Sequence, residues 1–181
     1  SYRIRRRAVS YRAIRGFLVG SAYYNEFDPK IANWLRKLIS LNYLPGGVVD
    51  ERDIRDVKAS ELSGFSEVHL FAGIGGWPFA LELSGFGSGF WHADSPVWTG
   101  SCPCQNFSNA NSTGKEKGFG GDRDLWPEFQ RLIMEAKPRP QLIFGEQVAS
   151  SLGHVWLSRV STDLYDLQYR FGAASLPAAS V

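Results

Sequence analysis

Residues 67–76 read Glu-Val-His-Leu-Phe-Ala-Gly-Ile-Gly-Gly, a short apolar run that passes directly into a glycine-rich turn. Such a run, bounded by glycine and followed by helical spacing, is typical of a buried strand that leads into a helix. Two more short apolar runs lie at 97–99 and 142–144, and helical stretches separate them. The alternation predicts an α/β fold with a parallel sheet flanked by helices.

Element boundaries follow from the same patterns. A helix is predicted at 29–40, because Asp28 followed by proline marks a helix start. Strands are expected at 68–71, 97–99 and 142–144, with a further extended run at 169–174. Helices are expected at 77–84, 125–136 and 152–165, the second of them capped by Asp124.

The composition divides the chain into three parts. Residues 1–22 form a basic leader, because six arginines precede the first acidic residue, Glu26. The leader is open to four interpretations: an arm on nucleic-acid phosphates, a targeting-like segment, a solvated helix, or sequence upstream of a natural start. Residues 23–66 are predicted to hold a helix and a connecting segment. Residues 67–181 are predicted to form the main domain.

Chain length and cysteine spacing indicate what kind of protein this is. A chain of 181 residues with 44% hydrophobic residues fits one domain with a sizeable core. Cys102 and Cys104 are separated by one residue, which disfavours a disulfide and matches no metal-site pattern. We therefore expect no metal and a reducing, intracellular setting. No apolar run approaches the roughly 20 residues that a bilayer requires, so no membrane span is expected.

The first motif is the glycine-rich turn from Phe71 to Gly76. Glycines let a backbone approach a ligand closely, and a helix start offers free N–H groups. The turn is either a cofactor-binding loop or a simple connection. A nicotinamide cofactor is disfavoured, because the third glycine of the dinucleotide fingerprint is missing.

The second and third motifs each follow a predicted strand. Cys104, in Pro103-Cys104-Gln105, is a candidate nucleophile whose thiolate a cation such as Arg123 would stabilise, although many cysteines are simply buried apolar residues. Glu146 directly follows the strand at 142–144. Partial burial would raise its pKa and suit it to sharing a proton with a substrate, whereas the alternative is that it caps the next turn.

Together these segments resemble the DNA cytosine-5 methyltransferase family, whose ordered signatures are a Phe-x-Gly-x-Gly loop, a Pro-Cys-Gln loop and a Glu-Asn-Val motif. Here they read Phe71-Ala72-Gly73-Ile74-Gly75, Pro103-Cys104-Gln105 and Glu146-Gln147-Val148, in the same order. The resemblance implies a Rossmann-like S-adenosylmethionine-dependent methyltransferase fold with a reduced number of strands. Residues 67–181 are then its catalytic core.

The resemblance also implies site residues. S-adenosylmethionine is expected against the glycine loop and its helix, with help from Leu125; the loop residues are Phe71, Ala72, Gly73, Ile74, Gly75, Gly76 and Trp77. Cys104, flanked by Pro103 and Gln105, is expected to attack a cytosine flipped out of double-stranded DNA while Glu146 holds the base edge. DNA contacts are expected from Ser108, Lys115, Lys117 and Arg123.

The chain departs from the family pattern in three places. Only 33 positions separate Phe71 from Cys104, too few for two strand–helix steps that normally bring an acid to the ribose, and Asp94 is the expected substitute. Asn25 begins a segment that resembles the family's last motif, placed ahead of the glycine loop as in small phage-type members, so Asn25 is expected to border the cofactor. The sequence ends before the family's Gln-x-Arg-x-Arg motif, which predicts a fragment or a minimal form.

Three functional classes stay open. The first is an active DNA (cytosine-5)-methyltransferase in the cytoplasm of a bacterial or phage-infected cell, in restriction-modification or another role. The second is an inactive methyltransferase-like fragment that binds DNA or a protein partner. The third is another cysteine enzyme on a doubly wound sheet, disfavoured because no histidine stands in a convincing base position.

Overall fold

The computed structural model describes residues 21–87, 89–103 and 124–176. In these ranges the chain forms a five-stranded sheet of order β2-β1-β3-β4-β5, and every neighbouring pair is parallel. The strands are β1 Ala22–Asn25, β2 Gly47–Asp50, β3 Glu67–Leu70, β4 Val97–Gly100 and β5 Leu142–Gly145. The helices are α1 Pro29–Ser40, α2 Gly76–Ser84, α3 Trp126–Glu135 and α4 Ser151–Asp166. The predicted α/β class is confirmed.

The helices and the last three strands lie within about one residue of their predicted bounds. The Asp28 side chain caps α1 by accepting hydrogen bonds from the backbone N–H groups of Lys30 and Ile31 at 2.8 and 3.4 Å. The predicted cap of α3 is wrong, because Leu125 occupies that position and the Asp124 carboxylate instead pairs with Arg159 at 2.8 Å.

The last extended run is also corrected. Residues 169–174 form no strand, and Tyr169 instead donates its hydroxyl hydrogen to the carbonyl of Pro140 at 2.7 Å. This contact fastens the segment after α4 to the loop before β5.

The largest difference from expectation concerns the N-terminal region. β1 begins within the predicted leader and lies inside the sheet, between β2 and β3. β2 lies within the predicted connecting segment, which then crosses the sheet through two short 3-10 helices, Ile54–Asp56 and Ala59–Glu61. Residues 23–66 therefore share one sheet with the main domain.

Helices cover both faces of the sheet. α1 and α2 pack on the face that carries Ala22, Tyr24 and Val97. α3, α4 and the 3-10 helices pack on the opposite face, where they bury the larger core around Tyr23, Trp98 and Phe129. None of the described helices is long and apolar enough to cross a membrane.

The connection through α2 differs in hand from the others. The β1-α1-β2 connection runs toward the β2 edge and the β3-α2-β4 connection toward the β5 edge, yet both helices lie on the same face. The two connections therefore have opposite hands. The other two, from β2 to β3 and from β4 to β5, run toward the β5 edge over the opposite face and share the hand of the first.

Strand–helix–strand connections are right-handed in about 98% of cases, so the α2 connection is the exceptional one. With the common hand, α2 would lead into β1. The observed topology is what results when the β1-α1-β2 unit precedes β3 along the chain instead of following α2, that is, when the order is permuted.

Candidate active site

The three sequence motifs begin at one level on one edge of the sheet. Leu70, Gly100 and Gly145, the last residues of β3, β4 and β5, occupy a single register row. The glycine loop follows β3, a segment that starts at Ser101 and is called the cysteine loop below follows β4, and Glu146 follows β5. All three therefore start side by side at this edge. This is the carboxyl edge, where α/β proteins bind their ligands.

Positive φ angles at three residues turn the glycine loop: Phe71 at 53°, Gly73 at 55° and Gly75 at 89°. A positive φ is uncommon for phenylalanine and marks local strain of the kind found at functional sites. α2 begins directly afterwards, so the free N–H groups of its first turn face the carboxyl edge. At the tip of the loop, Ile74 is 71% exposed and presents an apolar surface.

Glu26 is the acidic side chain that meets this loop, and the sequence interpretation missed it. One carboxylate oxygen accepts the N–H of Gly73 at 2.8 Å, and the other accepts the N–H of Asp28 at 2.9 Å. Glu26 directly follows β1, the strand beside β3. In dinucleotide-binding folds an acid at the end of the neighbouring strand binds ribose hydroxyls, so Glu26 has the matching position. The signal available was an acid placed between a short aromatic run and a capped helix.

Asp94 was the wrong choice for this role. It is exposed in the turn between His92 and Ser95, just ahead of the first residue of β4. That position is at the amino edge, opposite the glycine loop. The strand–helix steps that were thought to be missing are supplied by β1, α1 and β2, which occupy the far side of β3.

Asn25 contacts both the end of β2 and the glycine loop. It is the last residue of β1, is buried, and donates its amide hydrogens to the carbonyls of Arg52 and Asp50 at 2.9 and 3.4 Å. Its side chain therefore holds the end of β2, while its backbone carbonyl accepts the N–H of Ala72 in the glycine loop at 2.9 Å. The expected place of Asn25 beside the cofactor stays a prediction.

An ion-pair network fixes the loop that follows β2. The buried Asp50 carboxylate accepts hydrogen bonds from the Tyr23 hydroxyl at 2.6 Å and from the Arg52 guanidinium at 2.7 Å. Arg52 also pairs with Glu61 at 3.0 Å. Burial alone would raise the pKa of Asp50, but the hydrogen bonds from Arg52 and Tyr23 hold it below its usual range. The network ties the loop after β2 to β1, the strand that Glu26 follows.

Cys102 is the cysteine that the described residues include. Cys102 is buried in the larger core, and burial, with a smaller contribution from the Asp124 charge, raises the pKa of its thiol to about 12. It is a packing residue beneath the cysteine loop. Cys104 lies outside the described residues, as do the predicted site residues between 105 and 123: Gln105, Ser108, Lys115, Lys117 and Arg123. Their roles stay predictions.

Trp77 connects the three motif segments. It lies in the first turn of α2, its indole N–H donates to the Ser101 hydroxyl oxygen at 3.1 Å, and its ring stacks on Phe144 with centroids 5.5 Å apart. Ser101 belongs to the cysteine loop, and Phe144 lies two residues before Glu146.

Glu146 is exposed immediately after β5, so the partial burial expected for it is not observed. Its carboxylate is accessible to a substrate at the carboxyl edge. The next residue, Gln147, stands where the family signature has asparagine, and its side-chain oxygen accepts the N–H of Val148 at 3.0 Å. This contact shapes the turn before α4.

Leu125 does not join the glycine loop. Its side chain packs against the larger core on the α3 face, whereas α2 lies on the other face. In the described ranges, no group of three or more histidine, cysteine, aspartate or glutamate side chains could hold a metal ion.

Comparison with known proteins agrees with this geometry. A family model described as C-5 cytosine-specific DNA methylase matches residues 92–180. The Type II methyltransferase M.HhaI of Haemophilus parahaemolyticus is 28% identical over a 157-residue alignment that covers 68% of this chain and 46% of that enzyme. The chain thus spans less than half the length of this curated relative. No solved structure matches the chain.

The parallel sheet, its glycine loop and the motifs along its carboxyl edge define a Rossmann-like methyltransferase domain. Residues 92–180 match the C-5 cytosine-specific DNA methylase family model, in agreement with this fold. The family resemblance carried by the sequence motifs is confirmed.

Proposed function

We propose that this chain provides the cofactor-binding and nucleophile-bearing part of a DNA (cytosine-5)-methyltransferase. The observation that carries the proposal is the shared register row of Leu70, Gly100 and Gly145. This row brings the glycine loop, the residues leading to Cys104 and Glu146 to one edge of the sheet, which supports a site with the three components that the reaction needs. A DNA substrate and a soluble cofactor support activity in the cytoplasm of a bacterial or phage-infected cell.

The residues at the edge fit S-adenosylmethionine, which supplies an electrophilic methyl group when bound. Glu26 would accept hydrogen bonds from the ribose hydroxyls, because its carboxylate lies against the glycine loop. The N-terminal turn of α2 would face the carboxylate of the amino-acid part. Ile74 and Phe71 would offer apolar contact to the base.

The chemistry on the DNA falls to Cys104 and Glu146. A target cytosine must leave the base stack before its C5 and C6 can be reached, and Ser108, Lys115, Lys117 and Arg123 would contact the DNA around it. The Cys104 thiolate adds to C6 and the ring electrons move to C5, while Glu146 stabilises the protonated N3 edge. C5 would then take the methyl group from the sulfonium of the bound cofactor, whose sulfur leaves as a neutral thioether. Loss of the C5 proton to water, with expulsion of the Cys104 thiolate, would restore the ring.

A covalent trap tests this proposal. The full chain is incubated with methyl-labelled S-adenosylmethionine and mixed-sequence duplex DNA in which 5-fluorocytosine replaces cytosine, because fluorine at C5 blocks proton loss. We expect a labelled protein–DNA adduct that survives denaturation. Cys104→Ser should abolish the adduct and Cys102→Ala should retain it.

The alternative is a methyltransferase-like domain that binds DNA or a protein partner without turnover. Absence of an adduct, together with no cofactor binding by calorimetry, would overturn the proposal. Retained binding to fluorescent duplex DNA under those conditions would then support the non-catalytic role.

A further inference from the structure

The side chain of Trp77 contacts both of the other motif segments, the cysteine loop and the end of β5. Its N–H donates to the Ser101 hydroxyl at 3.1 Å, three residues before Cys104. Its ring stacks on Phe144 at an interplanar angle of 23°, two residues before Glu146. Trp77 is the second residue of α2, next to the glycine loop, so its contacts link the end of β3 to β4 and β5.

We propose that Trp77 is a positioning residue that sets the cysteine loop relative to the cofactor loop and to Glu146. The inference rests on the proposed function. It assigns to Trp77 a task separate from cofactor contact, which is to fix the distance between the nucleophile segment and the other two components.

The start of the cysteine loop is held from both faces of the sheet. Ser101 is bonded to Trp77 on the α2 face, and the side chain of Cys102 is buried in the core on the α3 face. With both anchors in place, residues 101 and 102 have little freedom. Losing the Trp77 anchor leaves the loop fixed on one side only. Reacting groups displaced by about 1 Å can lose on the order of a hundredfold in rate, so this freedom matters for attack on C6.

The Trp77–Ser101 bond can be tested by a double-mutant cycle. Trp77→Phe keeps a ring to stack on Phe144 but removes the donor, and Ser101→Ala removes the acceptor without touching the glycine loop. Trp34→Phe is the matched control, since Trp34 is on the exposed side of α1. Each variant is compared with the unchanged chain for hydrogen exchange of the peptide containing residues 100–103, cofactor affinity, and rate of adduct formation on 5-fluorocytosine DNA.

We expect each single variant at the contact to speed exchange in this peptide and to slow adduct formation about fivefold, the size of one hydrogen bond. The double variant should be no slower than the slower single variant, since both remove one interaction. Ser101→Ala should leave the cofactor dissociation constant unchanged, and Trp34→Phe should match the unchanged chain throughout.

The possible failures are distinguishable. If the unchanged chain forms no adduct, the proposed function falls and the role of Trp77 in the reaction falls with it. If the chain forms an adduct and the single variants match it in exchange and rate, only the Trp77 proposal is overturned. Multiplying effects in the double variant would overturn it as well, because independent losses show that the two residues do not act through one contact.

Discussion

The carboxylate of Glu26 accepts a hydrogen bond from the backbone N–H of Gly73 at 2.8 Å, joining the end of β1 to the glycine loop. The loop that is proposed to hold the cofactor is therefore positioned in part by a residue that lies 47 positions earlier in the chain. Since the other carboxylate oxygen is bonded to the N–H of Asp28, the side chain has a fixed orientation.

Glu26→Gln should weaken S-adenosylmethionine binding about tenfold. The amide has one accepting oxygen in place of two, and it loses the charge that strengthens hydrogen bonds to N–H groups and hydroxyls. Calorimetry measures the change. Glu51→Gln is the matched control, because Glu51 pairs with Arg36 after β2 and should leave affinity unchanged. Equal affinities for all three proteins would remove Glu26 from the cofactor site.

The two thiols should react differently. At pH 8 a thiol with a pKa of about 12 is ionised in only about one molecule in ten thousand, and Cys102 is also buried. Iodoacetamide should therefore modify the native chain at Cys104 and leave Cys102 unmodified, whereas both should react in denaturant. Peptide mass spectrometry reads out the sites. Rapid native labelling of Cys102 would show that it is not the packing residue described above.

Gly75→Ala should destabilise the chain by about 2 kcal/mol or more. Gly75 has a φ of 89°, and an added Cβ would lie 2.7 Å from a methyl carbon of Leu44, so backbone strain and overlap act together. Gly46→Ala is the matched control, since a Cβ there meets nothing within 4 Å, and its effect should stay below about 1 kcal/mol. Urea unfolding gives both values. Similar values for the two would mean that the loop can relax.

The sequence predicted β3, β4 and β5 but not β1 and β2, which form the other side of the sheet. β3, β4 and β5 are apolar runs bounded by glycine, which gives a clear signal. β1 and β2, like the other strands, are four residues long, but they end in Asn25 and Asp50, whose polar side chains find their partners only in the folded chain. Asn25 donates to the carbonyl of Arg52, and Asp50 accepts from the side chains of Tyr23 and Arg52. Short strands with such ends have no periodicity that distinguishes them from a connecting segment.

The permuted order explains the error at the site. Asp94 was favoured because it lies between the glycine loop and the cysteine loop along the chain, where an unpermuted sequence has its ribose-binding acid. Only the pairing of β1 with β3 reveals that Glu26 occupies that place in space. When a strand–helix unit changes its place along the chain, residues that are neighbours in the sheet are no longer neighbours in the sequence.

The stability of the chain should fall as the pH drops below about 6.5. His69 is fully buried; it lies 2.9 Å from the Thr99 hydroxyl and 3.3 Å from Glu67, with the Tyr24 ring stacked on it. Burial lowers the pKa of His69 from its usual 6.5, and the Glu67 carboxylate only partly opposes this. The unfolded chain therefore binds a proton that the folded chain does not. Its contribution to stability is present above pH 6.5 and is lost as pH falls toward the folded pKa, at up to about 1.4 kcal/mol per pH unit.

Urea unfolding between pH 7.5 and 5 measures this slope, and two variants assign it. His69→Gln removes the titrating group, so its unfolding free energy should vary less with pH even if it is lower throughout. His154→Gln is the matched control, because His154 is exposed on α4 and should keep the slope of the unchanged chain. Hydrogen bonds from Arg52 and Tyr23 lower the pKa of Asp50, so the stability that Asp50 contributes is lost only below about pH 3.8, outside the range of this experiment. A slope that survives in His69→Gln would assign the titration to another group and contradict the proton linkage of the buried histidine.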